Sequence, residues 1–197
     1  MIEAMRYAWP LLIVAISFLG CGDDSAPSPE IDAGPEEPEI VGVPDTSYCQ
    51  SVGDWDDDFI TKEEELLVLV NEVRAKGAHC GPQGAKAPTG PLEMEGALRC
   101  AARVHSLDMN ERNFFAHNNP SGQTPWYRIA QAGYTEMPVG ENIAFGSSTA
   151  EGVMEQWMNS PGHCANIMEP SYDYMGAGYL DGSVYGHTWT QTFGGSY

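Results

Sequence analysis

Residues 174–194 read YMGAGYLDGSVYGHTWTQTFG. Large and small residues alternate along both halves of this stretch. Alternation with period two marks a strand whose two faces meet different surroundings. Between the halves stands Asp181-Gly182, a dipeptide that favours hairpin turns. Two antiparallel strands joined at Asp181-Gly182 are therefore expected at this end of the chain.

Upstream, VGENIAFG (residues 139–146) reads as a further strand. A carboxylate, Glu141, stands at its mouth, ahead of the apolar Ile143, Ala144 and Phe145. A buried carboxylate needs a partner, because an unpaired charge away from water costs several kcal/mol or else neutralises. Alternation places Ile143 and Phe145 on the side of Glu141, with Asn142 and Ala144 opposite.

The remaining segments are helical. DFITKEEELLVLVNEVRAKGAHCG (58–81) spaces Leu66, Leu67, Val70 and Val73 as one helix face. Thr61 and Glu64 form a capping-box pattern there, and Gly77 suits the stop. GPQGAKAPTGP (81–91) is punctuation. LEMEGALRCAARVHSLDMNERNFFAH (92–117) is a second helical stretch, with Leu98, Ala101, Ala102, His105 and Met109 along one face. WYRIAQAGY (126–134) is a short helix ended by Gly133. SSTAEGVMEQWMNS (147–160) is another, with Ser148 and Glu151 as its capping box and Ser160-Pro161 as its end. PGHCANIMEP (161–170) is a short helical turn. Helices come first and strands mostly late, which points to an α+β fold and not a wound parallel sheet.

The formal net charge of −19 argues against a nucleic-acid partner, since phosphate binding needs a basic face. Most of that charge lies in residues 22–65, which carry fifteen Asp or Glu against one lysine, Lys62. AWPLLIVAISFLG (8–20) falls short of the ~20 apolar residues of a membrane span and suits a signal-peptide core. It ends at Cys21, in SFLGC, a pattern resembling the cleavage and lipidation site of bacterial lipoproteins. Residues 1–20 are thus expected to be a lipoprotein-type signal peptide, with Cys21 acylated. Gly22, not an aspartate, follows Cys21, which allows an outer-membrane or surface destination. Residues 21–47 are rich in Pro, Glu, Asp and Gly and read as a disordered acidic tether. The folded domain is expected over 48–197. Four cysteines remain, Cys49, Cys80, Cys100 and Cys164. In an exported chain an even number suggests two disulfides, for which three connectivities exist.

No G-x-S-x-G elbow, H-E-x-x-H pair, phosphate loop or dinucleotide fingerprint is present. The acidic run DWDDDFITKEEE places Asp54, Asp56, Asp58 and Glu65 at calcium-loop spacing. It has Phe59 where the loop needs glycine, so it reads as a solvated lead-in to the first helix. What remains is a set of imidazoles and one carboxylate at segment ends: His117, Glu141, His163 and His187. Segment ends are where sites are built on a rigid scaffold.

Five stretches, LVLVNEVRAKG, HSLDMNERNFFAHNNPSG, GENIAFG, WMNSPGHCANIM and HTWTQTFG, resemble the successive motifs of the bacterial branch of the CAP superfamily, the SCP domain of cysteine-rich secretory and pathogenesis-related proteins. The resemblance covers roughly residues 64–197. It implies a three-layer α-β-α sandwich with a central, mainly antiparallel sheet. It also implies a cleft of two His and two acidic residues that often holds a divalent cation. Glu141 matches the glutamate of the GEN motif. His117 matches the cleft histidine, with Ala116 where Ser is usual. No acid follows the tryptophan helix, and His163 takes that place. His187 stands one residue further from the Thr-Gln pair than in the family pattern. On this resemblance His117, Glu141, His163 and His187 are the candidate ligands of an ion such as Zn2+. The resemblance also favours Cys80–Cys164, a pair that relatives with two cysteines tend to carry. With it goes Cys49–Cys100, which staples the segment before the first helix onto the second. The leading expectation is an exported binding module, lipid-anchored to the outer membrane or cell surface or secreted, that engages a lipid, glycan or protein through its cleft. No established catalytic motif supports an enzyme. A metal-dependent hydrolase or peptidase of the cell envelope is the alternative, and a structural envelope protein without ligand the third.

Overall fold

The computed structural model describes residues 41–196. The expected signal peptide, Cys21 and most of the tether lie outside the described residues. The elements follow in the order α1 (Asp57–Lys76), β1 (Ala78–His79), β2 (Ala85–Lys86), β3 (Glu93–Met94), α2 (Gly96–Glu111), α3 (Pro125–Ala132), β4 (Val139–Phe145), α4 (Ala150–Met158), α5 (Pro161–Ile167), β5 (Tyr174–Ser183) and β6 (Gly186–Gly194). The main sheet runs β3-β5-β6-β4, with β3 parallel to β5 and the other pairs antiparallel. Helix α2 packs on one face of this sheet and carries α3. Helices α1 and α4 cover the other. The fold is α+β, a three-layer α-β-α sandwich.

The alternation in residues 174–194 has a direct cause. Gly176 and Gly178 face α2, whose backbone lies so close that a Cβ on either would fall 2.1 Å from Leu98 C or 2.5 Å from Ala102 C. Thr190 and Thr192 share that face; Ser106 Oγ on α2 lies 2.8 Å from both Gly178 O and Thr190 Oγ1, and Thr192 donates to Leu98 O. Met175, Tyr179, Trp189 and Phe193 point the other way and join Leu66, Val70, Val153 and Trp157 in the larger core. A second core between α2, α3 and the N-terminal segment gathers Leu98, Ala101, Ile129 and Tyr134 around the Cys49–Cys100 disulfide. The other disulfide is Cys80–Cys164.

Several local expectations are corrected. The hairpin turns at Val184-Tyr185, and Asp181-Gly182 lies within β5 at a register shift where Gly182 has φ 78°. The positive φ that Asp-Gly signals is real, but it serves a bulge. Helix α1 is capped by Asp56, whose side chain accepts from Asp58 N. Thr61 lies inside it, bonded back to Asp57 O. Helix α4 is capped by Thr149, which accepts from Gly152 N, and not by Ser148. Helix α2 ends at Glu111, followed by Asn113 in the left-handed region (φ 53°), so Phe114 to His117 form a loop. Strands β1, β2 and β3 were not legible; two-residue strands carry no period. The tether boundary also moves. Val41 O accepts from Arg99 Nη1 at 2.7 Å and Val43 packs on the second core, so residues 41–47 belong with the domain. Among the described residues no helix is long and apolar enough to cross a membrane.

Candidate functional site

Glu141 lies on β4 opposite Thr192, so its side chain emerges on the α2 face. It is buried, and its partner is Arg128 on α3: Arg128 Nη2 donates to Glu141 Oε2 at 2.6 Å. The same nitrogen donates to His117 O at 2.9 Å, and Nη1 donates to Gln123 O at 3.1 Å. One buried guanidinium therefore fixes both the carboxylate and the loop that carries His117. Asn119 stiffens that loop further, accepting from Ser121 N and Gln123 N and donating to Asp108.

His117 closes the group, with Nδ1 2.8 Å from Glu141 Oε1. A carboxylate only accepts, so Nδ1 carries a proton, and in the neutral ring Nε2 keeps its lone pair. Half of the His117 side chain is exposed. Behind it, wholly buried, His105 on α2 stands 3.9 Å from Glu141 Oε1 and donates from Nε2 to Ala116 O. That leaves His105 Nδ1 as a buried acceptor without a partner. Burial pushes the His105 imidazole down to about 4.

His163, on α5, belongs to the opposite wall. Burial lowers its pKa, and the neighbouring His117 ring lowers it further. Asn142, on the far face of β4, donates to His163 O and Gln191 Oε1 and accepts from Asn166, so it ties α5 to the strand. His187 is not part of the cleft. It shares the face of Trp189 and Phe193, opposite Glu141, and its Nδ1 lies 2.7 Å from Tyr179 Oη. The extra residue before the Thr-Gln pair turns it to the other side of the sheet.

The cleft has two basins. One, of about 400 Å3, is lined by His117, Asn118, Trp126, Glu141, Asn166 and Tyr172, among others. The second, of about 370 Å3, is lined by Phe115, Ile143, Phe145, Trp157, Ser160 and His163, among others. Trp126 and Phe145 are 53% and 46% exposed, unusual for such large apolar rings. Phe115, Phe145 and Tyr185 pack edge-on or tilted against one another beside the second basin.

The donor set does not fit a Zn2+ ion. Both oxygens of Glu141 are committed, one to His117 and one to a guanidinium, and a divalent cation there would face Arg128 at close range. Among the described residues no three His, Cys, Asp or Glu side chains are grouped to hold an ion. Sequence reasoning missed Arg128 and His105. A signal for the first was present: Arg128 is the sole Lys or Arg in residues 113–197. His105 could be read only as one position of an apolar helix face.

The model of the CAP family, the cysteine-rich secretory protein family, matches residues 67–193, and the chain belongs to that family. The chain is 37% identical to the Bacillus subtilis protein YkwD over 131 residues, which is 66% of the chain and 46% of YkwD. It is 28% identical to the Bacillus subtilis membrane protein YlbC over 118 residues, 60% of the chain and 31% of YlbC. The chain thus spans less than half the length of either relative. Among solved structures, an extracellular SCP-domain protein of Bacillus anthracis superposes with TM-score 0.59 at 25% identity, covering 72% of this chain and 44% of that one. An outer surface protein of Borrelia burgdorferi gives TM-score 0.58 at 22% identity over 68% of this chain and 92% of its own, a likeness of fold.

Proposed function

We propose that this chain is an exported, membrane-tethered binding module whose cleft engages a lipid, glycan or protein ligand. The observation that carries the reading is the Arg128–Glu141–His117 chain, which presents one ordered imidazole to a basin bordered by the exposed ring of Trp126, beside a second basin bordered by that of Phe145. A buried ion pair is costly to assemble and adds little to stability, so its position beneath an open cleft is better accounted for by presentation of His117. Two disulfides suit an oxidising compartment. The extracellular and surface-located proteins of similar fold support export. The expected acylation of Cys21 would supply the anchor.

The test is a binding panel read by NMR on the intact protein: phospholipid vesicles, chito-oligosaccharides and blocked peptides, with the His117 and Trp126 ring signals followed. A probe of at least one class should shift both rings, and His117→Ala should weaken that probe by about tenfold or more. Shifts confined to other surfaces in every case would contradict the reading.

A second reading has one observation in its favour. An imidazole oriented by a carboxylate through Nδ1, with Nε2 facing the cleft, is also the arrangement of a general base. A hydrolase acting at the cell envelope would turn over casein or cell-wall fragments and lose that turnover in His117→Ala. Binding without turnover leaves the module reading alone.

A further inference from the structure

We propose that the ligand of the cleft is an extended peptide lying along the outer edge of β4. The inference rests on the binding reading above and names the class of ligand. Among the described residues strand β4 ends the main sheet and pairs only with β6. In an antiparallel pair, alternate residues turn both backbone groups toward the neighbour and the others turn both away. Gly140, Asn142 and Ala144 face β6. Glu141, Ile143 and Phe145 face outward, and their carbonyls show it by bonding to side chains of the opposite wall. Asn166 Nδ2 donates to Glu141 O, Trp157 Nε1 to Ile143 O and Gln156 Nε2 to Phe145 O, at 3.3–3.4 Å.

The three outward N–H groups have no partner among the described residues. They repeat every second residue, about 6.8 Å apart. An extended peptide presents carbonyls along one side at that same spacing. The three carbonyls are already taken by those side chains, so the N–H groups of β4 are what the peptide meets. Main-chain bonds of this kind fix a ligand strand, and pockets for alternate side chains select its sequence. Both basins open on this edge. The one between Phe115, Ile143, Phe145 and Trp157 takes an apolar side chain. The other, with His117, Asn118 and Asn166, takes a polar one. Residues 66–197, which build the cleft, carry twelve Asp or Glu against seven Lys or Arg, a mild bias toward neutral or basic peptides. Side-chain capping of the carbonyls also keeps two copies of β4 from pairing indiscriminately, so the edge is guarded but not closed.

The experiment begins with arrays of blocked heptapeptides and of cell-wall oligosaccharides, probed with the intact protein. The best peptide is then resynthesised and amide hydrogen exchange is measured with and without it. The expected result is that exchange at Glu141, Ile143 and Phe145 slows by about tenfold or more. Ile143→Pro should weaken the peptide by a similar factor, because it deletes an outward N–H while leaving the ladder to β6 intact. If that variant does not fold, the exchange measurement on the unaltered chain decides. Binding of oligosaccharides and no peptide overturns the inference while the cleft stands as a binding site. Peptide binding that leaves the three amides exchanging at their free rate overturns it as well, as does the absence of any binding on either array.

Discussion

Arg128 is the residue on which the cleft depends. It lies in a part of the chain with no other Lys or Arg, and it is spent on a buried carboxylate. Removing one partner of a buried pair strands the other, so Arg128→Met should cost about 3–5 kcal/mol. Arg128→Met combined with Glu141→Leu should recover much of that loss, and denaturant melts of the double-mutant cycle check it. His105 sets a pH dependence. Its folded pKa, about 4, lies below the ordinary histidine value, so below pH 6.5 the unfolded chain binds the proton first. Stability should therefore fall as pH drops from about 6.5 toward 4, by up to about 1.4 kcal/mol per pH unit, and level off below that window. Urea melts across this range should show the slope, and His105→Gln should flatten it. Glu141 was legible from its place ahead of an apolar run, and His117 from a motif. What its carboxylate meets was not legible, because a partner on another helix leaves no local pattern.

At the scale of elements, α2 and β5 meet backbone to backbone. Gly178→Ala would drive a methyl into the α2 backbone, where neither element has a flexible end to give. Such overpacking should cost about 3 kcal/mol or more, read as a lowered denaturation midpoint with unchanged m-value. The disulfides act at the same scale. Cys49–Cys100 closes 51 residues and Cys80–Cys164 closes 84. Replacing either pair by alanines should cost about 2–4 kcal/mol in thermal or denaturant melts. Helices α1 and α3 and strand β4 were readable from period and stop signals. The capping residues were not, since the Thr61/Glu64 and Ser148/Glu151 patterns stand beside true caps at Asp56 and Thr149. Sequence spacing alone does not choose among neighbouring polar side chains. Geometry at the first turn does.

Across the whole molecule, the cleft arises where the layers meet at the edge of the sheet. The α2–α3 loop supplies one wall and α4–α5 the other, with β4 as the floor. The order of helices and strands foretold the class of fold, and five motifs foretold the family. The layer on which His187 falls was fixed by register, which a single added residue reverses. If Cys21 carries the proposed acyl anchor, Cys21→Ala should release the protein from membranes in a fractionation assay. The most direct measurement is a calorimetric titration of Zn2+ into the intact protein at neutral pH. With Arg128 already closing the charge of Glu141, no one-to-one binding at micromolar Zn2+ is expected, in the parent chain or in His117→Ala. A stoichiometric heat in the parent, lost in both His117→Ala and Glu141→Gln, would show a metal site and contradict this account of the cleft.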